Sequence, residues 1–200
     1  MLMDMFTLDV SAIGGLSDEE FYKLATSNKE LKMERTAQGE IIIMALTGGN
    51  TGRKNTRLTM RLGLWALESK QGEVFDSSTG FKLPSGAVRS PDAAFVRSER
   101  WKALSTNERA TFPPLCPDFV VELMSNSDNL RPSQEKMREW IQNGCQLAWL
   151  VDVAEQRVFV YRANGSQTSI EGFHSVISGE DVLPNFTFDL AELLDDEAGT

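Results

Sequence analysis

The sequence predicts one mixed α/β domain. Three observations carry that expectation. The run Pro117–Met124 is a core strand, a helix follows it to about Asn143, and Leu147–Val153 is a second apolar strand. An earlier stretch, Arg53–Lys70, has helical spacing over eighteen residues, and Leu58, Met60, Leu62, Leu64, Trp65 and Leu67 make that helix largely buried. Finally, 200 residues at 41% hydrophobic content are enough to bury one full core, with no repeat, low-complexity tract or internal linker to divide it.

Taken in order, Ser17 and Glu20 form a capping box that opens a helix over residues 17–29, with Phe21, Leu24 and Ala25 as its apolar stripe. Leu31–Thr36 and Glu40–Leu46 read as a hairpin turning at Ala37-Gln38-Gly39. Its second half, Ile41-Ile42-Ile43-Met44, is apolar on both faces and therefore interior. Thr47–Gly52 is a Gly-rich loop without the lysine or spacing of a P-loop. Arg53, Lys54, Arg57 and Arg61 then place a positive stripe on the first turns of the long helix.

Glu73–Val96 reads as a meander of strands. Pro91 cannot donate to a ladder, so it marks the start of the last of them or a bulge. Ser98–Ala110 holds short helices, with Ser105 and Glu108 as a second capping box. After Pro117–Met124 comes a polar loop, Ser125–Arg131, and a helix whose start Pro132 leaves open between Asp128 and Ser133. Met137, Trp140 and Ile141 are its buried stripe and Asn143-Gly144 its stop. Leu147–Val153 and Arg157–Tyr161 pair around Ala154-Glu155-Gln156. Short strands continue to Phe188, and a last helix is expected over Ala191–Asp196 before an acidic tail.

Composition excludes several chemistries. His174, the sole histidine, rules out a multi-histidine zinc site and leaves no good Ser-His-Asp case. Cys116 and Cys145 have no framework spacing and read as buried thiols. An oxygen-ligated metal such as magnesium needs neither residue type. No apolar run is long enough to span a membrane, and Met1–Asp9 lacks the features of a signal peptide, so a cytoplasmic protein is expected. The net charge of -9 argues against a passive nucleic-acid coat but not against an enzyme with a local basic patch.

Glu122 is the sharpest anomaly. It interrupts an apolar run, where an ionised carboxylate costs on the order of several kcal/mol unless it is paired or bound to a cation. The alternative is a strand end that points to solvent. Asp92 follows the same logic at a strand start. Lys136 lies one turn before Trp140, so its stem can cross apolar surface and deliver its amine to the sheet edge. Glu34 is a candidate fourth acid on an early strand. Asp118 shares a strand face with Glu122 and is expected near it or capping the strand.

In this order, Ser90-Pro91-Asp92, Pro117–Leu123 with Glu122, Lys136 on a helix ending Asn143-Gly144, Ala148–Asp152, and Val158 to Tyr161-Arg162 resemble the Uma family. These are restriction-endonuclease-like proteins of the PD-(D/E)XK nuclease superfamily, and the match spans about residues 30–190. The resemblance implies a central mixed sheet flanked by helices, with Asp92 and Glu122 as metal-binding acids on neighbouring strands and Glu34 as the family's early acid. The usual lysine two residues after the glutamate is replaced by Met124, and Lys136 would take its place from the following helix.

The implied activity is a magnesium-dependent endonuclease acting on DNA, with manganese as a substitute metal. The Arg53-Lys54-Arg57-Arg61 stripe would hold the phosphate backbone. Superfamily members are often dimers, so a homodimer is expected. Met124 keeps open a nuclease-fold protein that binds DNA or a partner without cutting. A purely structural or oligomerising domain is favoured if Glu122 is paired to an arginine.

Overall fold

The computed structural model describes residues 5–125 and 128–194. The chain runs β1 (Met5–Leu8), α1 (Asp18–Ser27), β2 (Lys32–Arg35), β3 (Ile41–Met44), α2 (Gly49–Ser69), β4 (Gly72–Asp76), β5 (Phe81–Lys82), β6 (Val88–Arg89) and β7 (Ala93–Arg97). It continues through α3 (Ser98–Ala103), α4 (Thr106–Ala110), β8 (Phe119–Met124), α5 (Leu130–Gln142), β9 (Leu147–Asp152) and β10 (Arg157–Arg162). The strands β11 (Gln167–Glu171), β12 (Val176–Ser178) and β13 (Thr187–Asp189) and a 3-10 turn at Leu190–Leu193 complete it.

The central sheet has the order β11-β10-β9-β8-β7-β4. Only β8 and β9 are parallel, because α5 carries the chain back across the face between them. The other pairs are antiparallel, so the sheet is mixed and flanked by helices, as the sequence predicts. Strand β9 is buried along its whole length, which explains its unbroken apolar run.

The pleat of β8 divides the interior. Phe119, Val121 and Leu123 join Leu58, Leu62 and Ala66 of α2 on one face, while Val120 faces Met137 and Trp140 of α5 on the other. Burying each such leucine contributes about 1.5–3 kcal/mol, so these two layers fix how α2 and α5 sit on the sheet. Cys116 and Cys145 are free and buried, and both cap-box predictions hold: Ser17 with Glu20, and Ser105 with Glu108.

Several local expectations are corrected. The Gly-rich loop is already helical, since α2 begins at Gly49 rather than at Arg53. That helix is also less buried than its apolar count suggests: Met60, Leu64 and Leu67 are exposed. The stretch after α2 is not a simple meander. β4 pairs with β7 in the central sheet, whereas β5 and β6 leave it and extend a second, antiparallel sheet of order β1-β3-β2-β6-β5. Its first strand, β1, goes unanticipated because its Met5, Phe6 and Leu8 remain exposed and show no alternation. In place of the last helix stands the shorter 3-10 turn, and residues 195–200 of that predicted helix and tail lie outside the described residues, as do 126–127 of the polar loop.

The two sheets meet through the segment linking β6 to β7. Ser90 is buried, its hydroxyl donating to the Ser77 carbonyl at 2.7 Å. Pro91 falls just before β7, where no ladder donor is required. Asp92 resumes the pairing, its N–H donating to the Val121 carbonyl at 3.0 Å. Everything that follows is built around this junction.

Candidate active site

Helix α5 positions most of the site. Pro132 occupies its first turn, where a missing N–H costs nothing. Lys136 and Trp140 are four residues apart and therefore project from one face. Both reach Glu122 of β8: Lys136 Nζ lies 2.9 Å from Glu122 Oε1, and Trp140 Nε1 donates to the same oxygen at 2.9 Å. The partner of Glu122 is thus a lysine, not the arginine that would have favoured a purely structural role.

Lys136 also lies 3.0 Å from Glu34 Oε1 on β2. Glu34 is 2% exposed, and its remaining partners are the Ser90 N–H at 2.9 Å and Arg89 Nη1 at 3.0 Å. Arg89 in turn donates to Glu139 of α5 at 2.7 Å. Asp92 is held from two sides. The Leu123 N–H donates to Oδ2 at 2.7 Å, and Asn55 Nδ2 of α2 donates to Oδ1 at 3.0 Å. The structure therefore brings Glu34, Asp92, Glu122 and Lys136 together from two strands, the segment leading into β7, and one helix.

Charge sets their protonation. Burial pushes Glu34 upward, yet Lys136, Arg89 and the Ser90 N–H outweigh it and hold the carboxyl at about 2. Burial raises Glu122 above the ordinary range, opposed by Lys136 and reinforced by the charges of Asp92 and Glu34. For Lys136 burial works against the charge, but Glu122 and Glu34 raise it above its ordinary value. Lys136 is accordingly a fixed positive charge rather than a base.

Four carboxylates (Glu34, Asp92, Glu122, Glu139) meet two cations (Arg89, Lys136) here, an excess of two negative charges when all six are ionised. That excess suits a divalent cation. The donor set suits a hard one, because every candidate ligand is oxygen. Each oxygen of Asp92 keeps a lone pair beyond its one hydrogen bond, and both Trp140 Nε1 and Lys136 Nζ approach Glu122 at Oε1. Among the described residues no group of three or more His, Cys, Asp or Glu side chains encloses a metal position. Asp92 and Glu122 are the residues that could hold an ion taking two carboxylates and keeping several waters, as magnesium does.

A family model described as "Uma2: Putative restriction endonuclease" matches residues 18–191, which include every residue of this cluster. The chain belongs to the Uma2 family. The fold agrees: this Uma2 chain superposes with a TM-score of 0.74 on a crystal structure described as "a putative nuclease belonging to DUF820" from Anabaena variabilis ATCC 29413. The two are 17% identical, over 89% of this chain and 97% of that one, so the likeness establishes a shared restriction-endonuclease-like fold. No protein among the curated ones matches the sequence.

The basic residues of α2 are arranged differently from the open stripe that the sequence predicts. Lys54 is buried. Arg57 donates to the Glu192 carbonyl, and Arg61 pairs with the Glu192 carboxylate at 2.9 Å. Arg53 is half-buried. Helix α2 thus ties down the 3-10 turn that ends the described chain. Asp118 lies at the far end of β8 from Met124, accepting the Arg97 N–H at 2.9 Å and pairing with Arg100 at 3.0 Å. Its role is to cap the strand.

Sequence reasoning missed Asn55, Arg89 and the Trp140 N–H. Asn55 carried a readable signal: it precedes Leu58 and Leu62 by three and seven residues and so lies on their side of the helix. Arg89 carried none, since its partners come from β2 and α5.

Proposed function

We propose that this Uma2 protein is a magnesium-dependent endonuclease that hydrolyses phosphodiester bonds of DNA, with manganese as an alternative metal. The observation that carries the reading is the convergence of Lys136 on Glu122 at 2.9 Å and Glu34 at 3.0 Å beside the anchored Asp92. Two acids proposed to bind metal and a permanent positive charge come together at this junction. Family membership supports it independently.

Asp92 and Glu122 would hold the cation, Asp92 in a fixed orientation and Glu122 through the oxygen not committed to α5. A divalent ion bound there polarises a phosphate oxygen and lowers the pKa of an attacking water. Lys136 stabilises the charge that builds on the phosphate in the transition state, a preorganised electrostatic contribution of the kind that dominates many active sites. Glu34 and Trp140 act on the other groups: Glu34 keeps the Lys136 amine in place, and Trp140 fixes the Glu122 carboxylate. Arg53, Lys54, Arg57 and Arg61 are proposed to meet the flanking phosphate backbone. Arg61 is about half exposed, and its present partner is the Glu192 carboxylate, which phosphate could displace.

The test is incubation of purified protein with supercoiled plasmid DNA and magnesium or manganese, beside Glu122→Ala and Lys136→Ala. Metal-dependent nicking by the wild type alone supports the proposal. Equal nicking by all three proteins rules out this site. DNA binding without nicking by the wild type assigns the chain to the non-cutting alternative.

A further inference from the structure

Asn55 stands at the edge of the cluster in an unusual state. Its Nδ2 donates to Asp92 Oδ1 at 3.0 Å, while its Oδ1 is buried and has no hydrogen-bond partner. The amide cannot be turned the other way. A carboxylate only accepts, so exchanging the two ends would set oxygen against oxygen. The oxygen is therefore the atom left over, beside a carboxylate proposed to bind a cation.

A buried acceptor without a donor costs free energy that the protein recovers only when a donor arrives. Such groups call for an explanation, an unfilled water or ion position being a common one. The chemistry next to it narrows the choice. Magnesium bound by few carboxylates retains several waters, each an outward donor of two hydrogen bonds. Asn55 is half-buried on α2, three and seven residues before the buried Leu58 and Leu62, and its Oδ1 is enclosed.

We infer that Asn55 is a positioning residue of the metal site: its Nδ2 orients Asp92, and its Oδ1 accepts a hydrogen bond from a water on the bound divalent cation. The inference rests on the reading of Asp92 and Glu122 as metal-binding acids. It gives α2 a direct part in the site, from the sheet face opposite α5.

The experiment is calorimetric titration of manganese into metal-free protein without nucleic acid, for the wild type, Asp92→Asn, Asn55→Leu and Asn55→Gln. Asn55→Leu removes both polar ends at nearly constant volume and should raise the dissociation constant by about tenfold or more, the usual effect of losing an outer-shell partner. Asn55→Gln keeps both a donor and an acceptor without adding charge and should recover part of the affinity. Wild-type affinity in Asn55→Leu, with binding lost in Asp92→Asn, would overturn this inference and leave the site standing. Asn55→Gln as weak as Asn55→Leu would overturn it also, since the amide chemistry would then not be what sets the affinity. No manganese binding by the wild type would remove the site itself. Loss of the near-ultraviolet dichroism of metal-free protein in both Asn55 variants would assign the residue to the scaffold and reject the inference.

Discussion

Glu34 and Glu122 share one ammonium group: Lys136 Nζ stands 3.0 Å from the first and 2.9 Å from the second. The two acids belong to different sheets, so the lysine of α5 closes the junction between them. Its removal would leave two buried carboxylates facing each other and Asp92. Lys136→Met, which keeps the stem, should lower kcat for plasmid nicking by about 10²-fold or more, the scale found when one preorganised charge-stabilising group is deleted. Measured single-turnover rates at saturating metal check this.

Glu34 governs acid stability. Its carboxyl is held at about 2 against an ordinary value of 4.5, so its contribution is complete above 4.5 and is lost as pH falls toward about 2. Urea unfolding of the wild type should therefore weaken steeply over that window. Glu34→Gln should lose that share of the pH dependence. It should also be about 3–5 kcal/mol less stable at neutral pH, because Arg89 and Lys136 are left as poorly compensated buried charges.

The pH–rate profile reports Glu122. Burial raises its carboxyl, and it must be ionised to hold a cation, so log kcat/KM should climb through an acid limb centred above 4.5. Lys136 is raised above 10.5 and gives no alkaline limb below that value. An activity that falls between pH 7 and 9 with the lysine intact would contradict this assignment.

Much of this was legible in the sequence because it depended on local pattern. The period of two in Phe119–Met124 identified which face Glu122 shares with Val120, and the spacing of Lys136 and Trp140 identified the helix face that meets it. What stayed hidden depended on pairing between distant segments. Nothing near Phe81–Lys82 or Val88–Arg89 says that these strands leave the central sheet for β2, and Arg89 acquires meaning only once they do. The pairing of Arg61 on α2 with Glu192 stayed hidden for the same reason, since the two lie 131 residues apart.

Trp140 offers a finer probe of the Glu122 carboxylate. Trp140→Phe keeps most of the buried ring and deletes the N–H that binds Oε1. The expected loss is about 1–2 kcal/mol of stability, as for one hydrogen bond to a charged group. Denaturation midpoints and metal titrations on the same variant separate that loss from any change in cation affinity.

Glu192 competes with DNA for Arg61 if the basic helix meets phosphate. Glu192→Ala should then tighten binding of a short duplex and steepen the dependence of log K on log salt by about one phosphate contact. Its effect on stability should stay within about 1 kcal/mol, as for an exposed ion pair. An unchanged salt slope would remove Arg61 from the nucleic-acid surface.

The most direct measurement is anomalous diffraction from crystals soaked in manganese. The account predicts one strong peak at about 2.1 Å from a carboxylate oxygen of Asp92 and another of Glu122, with Lys136 still beside Glu122. An ordered site with no peak, or a peak bound elsewhere while both carboxylates keep only their protein partners, would contradict it.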